Sequence, residues 1–155
     1  MGFFFLDLDE EMDRILGYSF HELVKEQGWL PFRELEYKIC KGFPRLDRSV
    51  IALGGGTIRY EWNRDVLQGT GLMILLHAEL ETLAQRVRGA DRPRVNPNAS
   101  LEEDLRSIWE SSKEKYLGVA DLVYRTDLKA PEEAVAELKA WILKRLDPRS
   151  LTTPG

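Results

Sequence analysis

Asp7 and Asp9 stand two residues apart where a short apolar run, Phe3 to Leu6, comes to its end. Along an extended strand that spacing turns both side chains to one face. Carboxylates so paired can hold a hydrated magnesium ion and accept the proton of a hydroxyl nucleophile. The same residues equally suit a solvated strand end followed by an acidic first helical turn, in which Asp9, Glu10 and Glu11 favour the helix dipole. Gly54, Gly55 and Gly56 follow a second apolar run. Three glycines in succession give up side chains and let backbone N–H groups approach a ligand closely. No Gly-x-x-x-x-Gly-Lys-[Ser/Thr] spacing accompanies them, so this run is not a Walker A loop. A sharp strand-to-loop turn is the plainer use of the same residues.

Arg33 falls in the first turn of an expected helix, where the dipole disfavours a cation. Its planar guanidinium can hold a carboxylate with two parallel hydrogen bonds. A surface arginine paired with Glu34, Glu36 or nothing is the more ordinary use of the same residue. Arg88, Arg92 and Arg94 lie in a stretch rich in Pro, Gly and Asn, which suits either a lid closing over polyphosphate or a solvated charged loop. His21 and His77 are isolated and read as structural. Cys40, alone in the chain, can form no internal disulfide and has no cysteine neighbours for a zinc site, which fits a reducing cytosol.

The elements that must position these residues alternate in type. Phe3–Leu6, Ser49–Leu53, Leu72–Leu76 and Leu122–Tyr124 read as short buried strands. Between the first two, helical spacing runs from Glu10 to Leu16, from a Ser19/Glu22 capping box to Gly28, and onward from Pro31 through Phe32, Leu35 and Ile39. Residues 64–67 and 79–87 return to helical spacing, a second capping box at Ser100 and Glu103 opens a helix toward Tyr116, and Pro131 starts a closing helix. The apolar face of that last helix is Val135, Leu138, Trp141 and Ile142. Strands alternating with helices imply a parallel α/β sheet with helices on both faces and ligands beyond the carboxyl ends of the strands.

With 155 residues, 43% of them hydrophobic, the chain suffices for one packed domain. A balance of 22 basic against 26 acidic residues, net −4, gives no electrostatic footprint for nucleic acid or an anionic membrane. The opening MGFFFLDLDEE has no basic leader and is broken by acids, so it reads as neither signal peptide nor span.

Several runs together resemble the shikimate kinase family of the P-loop kinase class. FLDLDEEMDRILGYSFHELVKEQGWLPFRELE is similar to its D-x-D strand end and substrate-binding helices ending in F-R-x-x-E. VIALGGGT is similar to its triple-glycine motif, ADRPRV to its lid, and KYLGVADLVYRTD to its Y-x-x-x-A-D approach to the last strand. The resemblance implies a single domain over 1–155, with substrate-binding helices in 10–45 and a lid in 88–100, and a three-layer P-loop-kinase-like α/β fold with a parallel sheet. It implies ATP-dependent phosphorylation of the shikimate 3-hydroxyl in the cytoplasm by a monomer, with Mg²⁺ as cofactor and no nucleic-acid or membrane partner.

By the same resemblance Asp7 holds water around Mg²⁺, and Asp9 binds substrate hydroxyls and helps remove the proton. Arg33 pairs with the shikimate carboxylate, with Phe32 packed near the ring, and Gly55 and Gly56 offer backbone contacts. Arg92 swings in with the lid to neutralise the transferred phosphoryl group and contacts the nucleotide. Two departures stand out. The family's central first strand and its G-x-x-G-x-G-K-[ST] loop precede the D-x-D, whereas this sequence begins at the D-x-D strand. The expectation is therefore a sheet without its central strand, and either a kinase whose amino terminus lies upstream or a non-catalytic shikimate-kinase-like binding protein. The second departure is Ser112, four residues before Tyr116, where the family carries another carboxylate-binding arginine. Lys113 beside it could supply charge but no bidentate fork, and weakened shikimate affinity or a changed acid substrate is expected.

Overall fold

A computed structural model describes residues 2–89 and 94–146. The chain opens on β1 (Phe4–Asp7) and passes through α1 (Leu8–Leu16), α2 (Phe20–Gln27) and α3 (Trp29–Cys40) before returning as β2 (Ser49–Ala52). After the glycine run come a 3₁₀ turn at Thr57–Arg59, α4 (Glu61–Leu67), β3 (Ile74–His77), α5 (Leu80–Val87), α6 (Leu101–Val119), β4 (Leu122–Arg125) and α7 (Pro131–Leu146).

Local chemistry sets the helix ends. Asp7 caps α1 by accepting from the backbone N–H of Asp9, and Gly17, at φ +78°, ends it in the left-handed conformation that glycine alone adopts freely. Ser19 caps α2 through the N–H of His21 rather than through the expected box with Glu22. Ser100 and Glu103 form the full reciprocal box at α6.

Both strand pairs are parallel, as the alternation of elements requires. β1 pairs with β2, Leu6 opposite Ile51, and β3 pairs with β4, Leu75 opposite Val123. The fold is the α/β one read from the sequence, and its strands form two separate two-stranded ladders, in keeping with the expected sheet without its central strand. Among the described residues β2 and β3 each have a ladder partner on one side only.

The core lies on the side of α1 to α4, where Leu8, Met12, Leu23, Phe32, Cys40, Phe43, Ile58 and Leu67 are buried and Leu6 and Ile51 pack against them. The reading of Phe3–Leu6 as a buried run is thereby corrected. Phe4 and Phe5 are 62% and 60% exposed although they lie on opposite faces of β1, so burial on this strand is confined to its carboxyl half, where Leu6 meets the core. The closing helix is also less buried than its apolar spacing suggests: Val135 is 65% exposed and Ala134 is its buried residue. Burial pushes the Cys40 thiol up to about 12, so it behaves as a small apolar core residue. No helix of the described residues is long and apolar enough to cross a membrane.

Candidate functional site

β1 ends at Asp7 and α1 begins at Leu8, so Asp7 and Asp9 do not share a strand face. The acidic helical turn is what forms, with Asp7 as its cap and Asp9 in its first turn. One oxygen of Asp7 accepts from the backbone N–H groups of Asp9 at 2.8 Å and Glu10 at 3.3 Å. Asp9 instead lines a cavity of about 580 Å³ that also takes in Arg33, the glycine run, Arg59 and Tyr116. A Cβ on Gly54 would sit 3.4 Å from Oδ1 of Asp9, which places the carboxylate directly against the carboxyl end of β2.

Arg33 is almost wholly buried, and its place in the first turn of α3 is explained by the carboxylate one turn on. Nη1 donates to both carboxylate oxygens of Glu36, each at 3.0 Å. Rings of Trp29, Phe32 and Tyr60 lie around the guanidinium, with centroids 5.2, 4.8 and 4.6 Å from Cζ. Glu36, 1% exposed, also accepts from Thr57 Oγ1 at 2.9 Å and Asn63 Nδ2 at 3.0 Å. A buried carboxylate needs all of these donors. Together they fasten α3 to the 3₁₀ turn and to α4, and so hold the guanidinium in place.

The three glycines are not held at positive φ. Their use is space, and at Gly56 that space is filled by Arg33, whose Nη2 lies 2.6 Å from where a Cβ would stand. Gly55 meets nothing within 4 Å, and its carbonyl accepts a short hydrogen bond from the hydroxyl of Tyr116. Burial raises that phenol above its ordinary range, while the charges of Arg59 and Arg33 pull it back, so the hydroxyl stays protonated and donating.

Arg59 projects from the 3₁₀ turn that continues the glycine run, and its Nε donates to Ser112 Oγ at 3.1 Å. Lys113, next to that serine, is exposed on α6 and does not line the cavity. Of the loop arginines, Arg88 pairs with Glu102 in the open, Arg94 caps the carbonyl of Ala99, and Arg92 lies outside the described residues. His77 stacks on Trp109 at 4.6 Å between centroids, and His21 sits edge-on to Phe20 at 4.4 Å, both along the cavity wall.

Among the described residues no cluster of three His, Cys, Asp or Glu side chains could cage a metal. The donor set fits magnesium nonetheless, because that ion keeps most of its waters and needs one or two carboxylates. The second oxygen of Asp7 accepts none of the described hydrogen bonds and suits such an outer-shell contact. Sequence reasoning missed Arg59 and Tyr116 as site residues. Glu36 was visible only as the partner of Arg33 three residues on; nothing in its own position announced a buried network.

A family profile, shikimate kinase, matches residues 1–143. The shikimate kinase of Deinococcus radiodurans is 33% identical over 140 residues, covering 88% of this chain and 71% of the relative. That of Pseudomonas entomophila is 32% identical over 146 residues, covering 94% and 84%. Among solved structures, the shikimate kinase of Acinetobacter baumannii in complex with shikimate superposes with a TM-score of 0.83 at 27% identity, covering 94% of this chain and 82% of that one. The Aquifex aeolicus shikimate kinase has the same fold, with a TM-score of 0.76 at 24% identity over 92% and 83%.

Proposed function

The chain belongs to the shikimate kinase family, and we propose that it carries out the transfer of the γ-phosphoryl group of ATP to the 3-hydroxyl of shikimate, giving shikimate 3-phosphate and ADP. The observation that supports this most is the convergence of Asp9, Arg33 and the glycine run on one cavity, although they come from three separate elements. The hydroxylated ring of a small acid needs a carboxylate acceptor at one end of such a cavity and a cation at the other.

Asp9 accepts the hydrogen bond of the acceptor hydroxyl and takes its proton as the oxygen attacks phosphorus. Arg33, steadied by Glu36 and three aromatic rings, keeps Nη2 free of any described hydrogen bond and turns it to the substrate carboxylate. The bare backbone at Gly55 and Gly56 lets the ring lie against the main chain, with Phe32 closing the same wall. Asp7 would hold magnesium through water, and the ion would supply neutralisation of charge on the phosphate oxygens of ATP. Arg92 and Lys113 carry over from the resemblance as a lid cation and a nearby positive charge. The reading places the protein in the cytoplasm as a monomer. The comparisons lend the non-catalytic alternative no advantage.

The test is to incubate the protein with Mg-ATP and shikimate and to follow ADP release while identifying the phosphorylated product by mass. Shikimate-dependent ADP together with a shikimate monophosphate is the expected result. Shikimate binding in calorimetry without ADP release would favour the non-catalytic binding protein, and no binding would remove shikimate as the substrate.

A further inference from the structure

We propose that Arg59 is the second cation of the substrate-carboxylate subsite and sets the preference of the cavity for an acid over its neutral analogues. The inference deepens the reading above and rests on it for the identity of the acid.

The first argument is charge. Arg33 is paired in full with buried Glu36, so the two together bring no net positive charge to the cavity wall. A carboxylate entering there must shed water, and a neutral ion pair repays little of that cost. Arg59 lines the same cavity and has no carboxylate within ion-pair distance among the described residues. It is the cation that gives this wall a net attraction for an anion.

The second argument is geometry. The main chain of Arg59 is held on both sides, with its N–H donating to the carbonyl of Gly56 at 3.1 Å and its own carbonyl accepting from Arg64 and Lys115, each at 3.2 Å. The side chain is held at one edge by Ser112, which is 2% exposed and so cannot move aside. Nε is thereby committed, while Nη1 and Nη2 make none of the described hydrogen bonds. A guanidinium gripped at one edge presents its other edge in a fixed direction, which is the form that bidentate carboxylate recognition needs. Because Arg59 follows Gly56 by three residues in one turn, the cation and the bare backbone against which the substrate lies move as one piece. Arg33 and Arg59 both bear on Tyr116, whose hydroxyl is tied to Gly55, so the two forks flank one corner of the cavity. Ser112 is then an anchor for a relocated arginine.

The experiment is calorimetric titration of the full chain with shikimate and with its methyl ester, for wild type, Arg59→Gln and the double variant Arg59→Gln/Ser112→Arg. Arg59→Gln should weaken shikimate by about tenfold or more, the loss expected for a charge-assisted hydrogen bond, and leave the ester within about twofold. The double variant should recover the acid-over-ester preference, because it returns a guanidinium to the same corner from α6. Equal loss of acid and ester, or no loss of either, overturns the proposal. Should Arg59→Gln fail to melt cooperatively, Arg59→Lys takes its place, keeping the charge, losing the fork and giving a partial fall in the acid-over-ester ratio. If wild type binds neither shikimate nor the ester, the substrate reading fails by itself. Arg59 is then tested with benzoate: a saturable shift of the Arg59 Nε–H resonance upholds the carboxylate subsite, and an unmoved resonance refutes it.

Discussion

Nη2 of Arg33 lies 2.6 Å from the point where a Cβ on Gly56 would stand, so the buried cation of α3 occupies the side-chain space that the glycine gives up. Two residues twenty-three positions apart in sequence are thus one steric unit. The backbone of Gly56, at φ −90° and ψ −15°, would accept any residue, which makes the requirement purely one of space.

Gly56→Ala should therefore displace the Arg33 guanidinium. A shift of that size in a positioning group lowers kcat/KM for shikimate by about 10–10²-fold, and overpacking costs about 1–3 kcal/mol of stability. Gly55→Ala, whose Cβ meets nothing within 4 Å, is the control and should melt as the wild type does. Equal thermal melting of the two variants would contradict the steric account.

Glu36→Ala removes the acceptor of three side chains and leaves Arg33 as an uncompensated buried charge. A loss of about 3–5 kcal/mol in urea unfolding is expected. Glu36→Gln keeps an acceptor for Thr57 and should lose less. Should Glu36→Ala unfold at the wild-type midpoint, the network would not be holding the site together.

Asp9→Asn keeps the shape of the side chain and the cap that Asp7 supplies to α1, but it cannot take a proton. The expected result is a fall in kcat of about 10²–10⁴-fold with a smaller change in shikimate KM. A kcat within a few-fold of wild type would assign proton removal elsewhere.

The buried Cys40 thiol is raised above its unfolded-state value, so the folded chain holds this proton more tightly than the unfolded one. Its contribution to stability is complete below the ordinary thiol range near ~8.5 and falls as pH rises through that range toward about 12. Native protein should resist alkylation at pH 8 until denaturant is added, and Cys40→Ala should flatten the alkaline limb of the stability curve. Rapid labelling of the native chain would show that Cys40 is not buried in solution.

Much of the site was legible because its motifs are local. The acids at the end of the first strand, the glycine run, Arg33 near the start of its helix and the Ser100/Glu103 box all depend on neighbours within a few residues. The order of strands and helices was legible for the same reason. Less so was burial: the spacing that marks Phe4, Phe5 and Val135 as apolar-face residues says nothing about whether another element arrives to cover them, and all three are exposed.

By itself, then, the sequence determined the parallel α/β alternation and the helix caps, since each follows from propensity, capping or spacing along the chain. Only the tertiary structure decided which residues meet. It put Asp7 to use as the cap of α1 and set Asp9 in the wall of the cavity. It also brought Arg59 to Ser112 across fifty-three positions, a juxtaposition that rests on the packing of the 3₁₀ turn against α6, and no local spacing encodes a contact of that range.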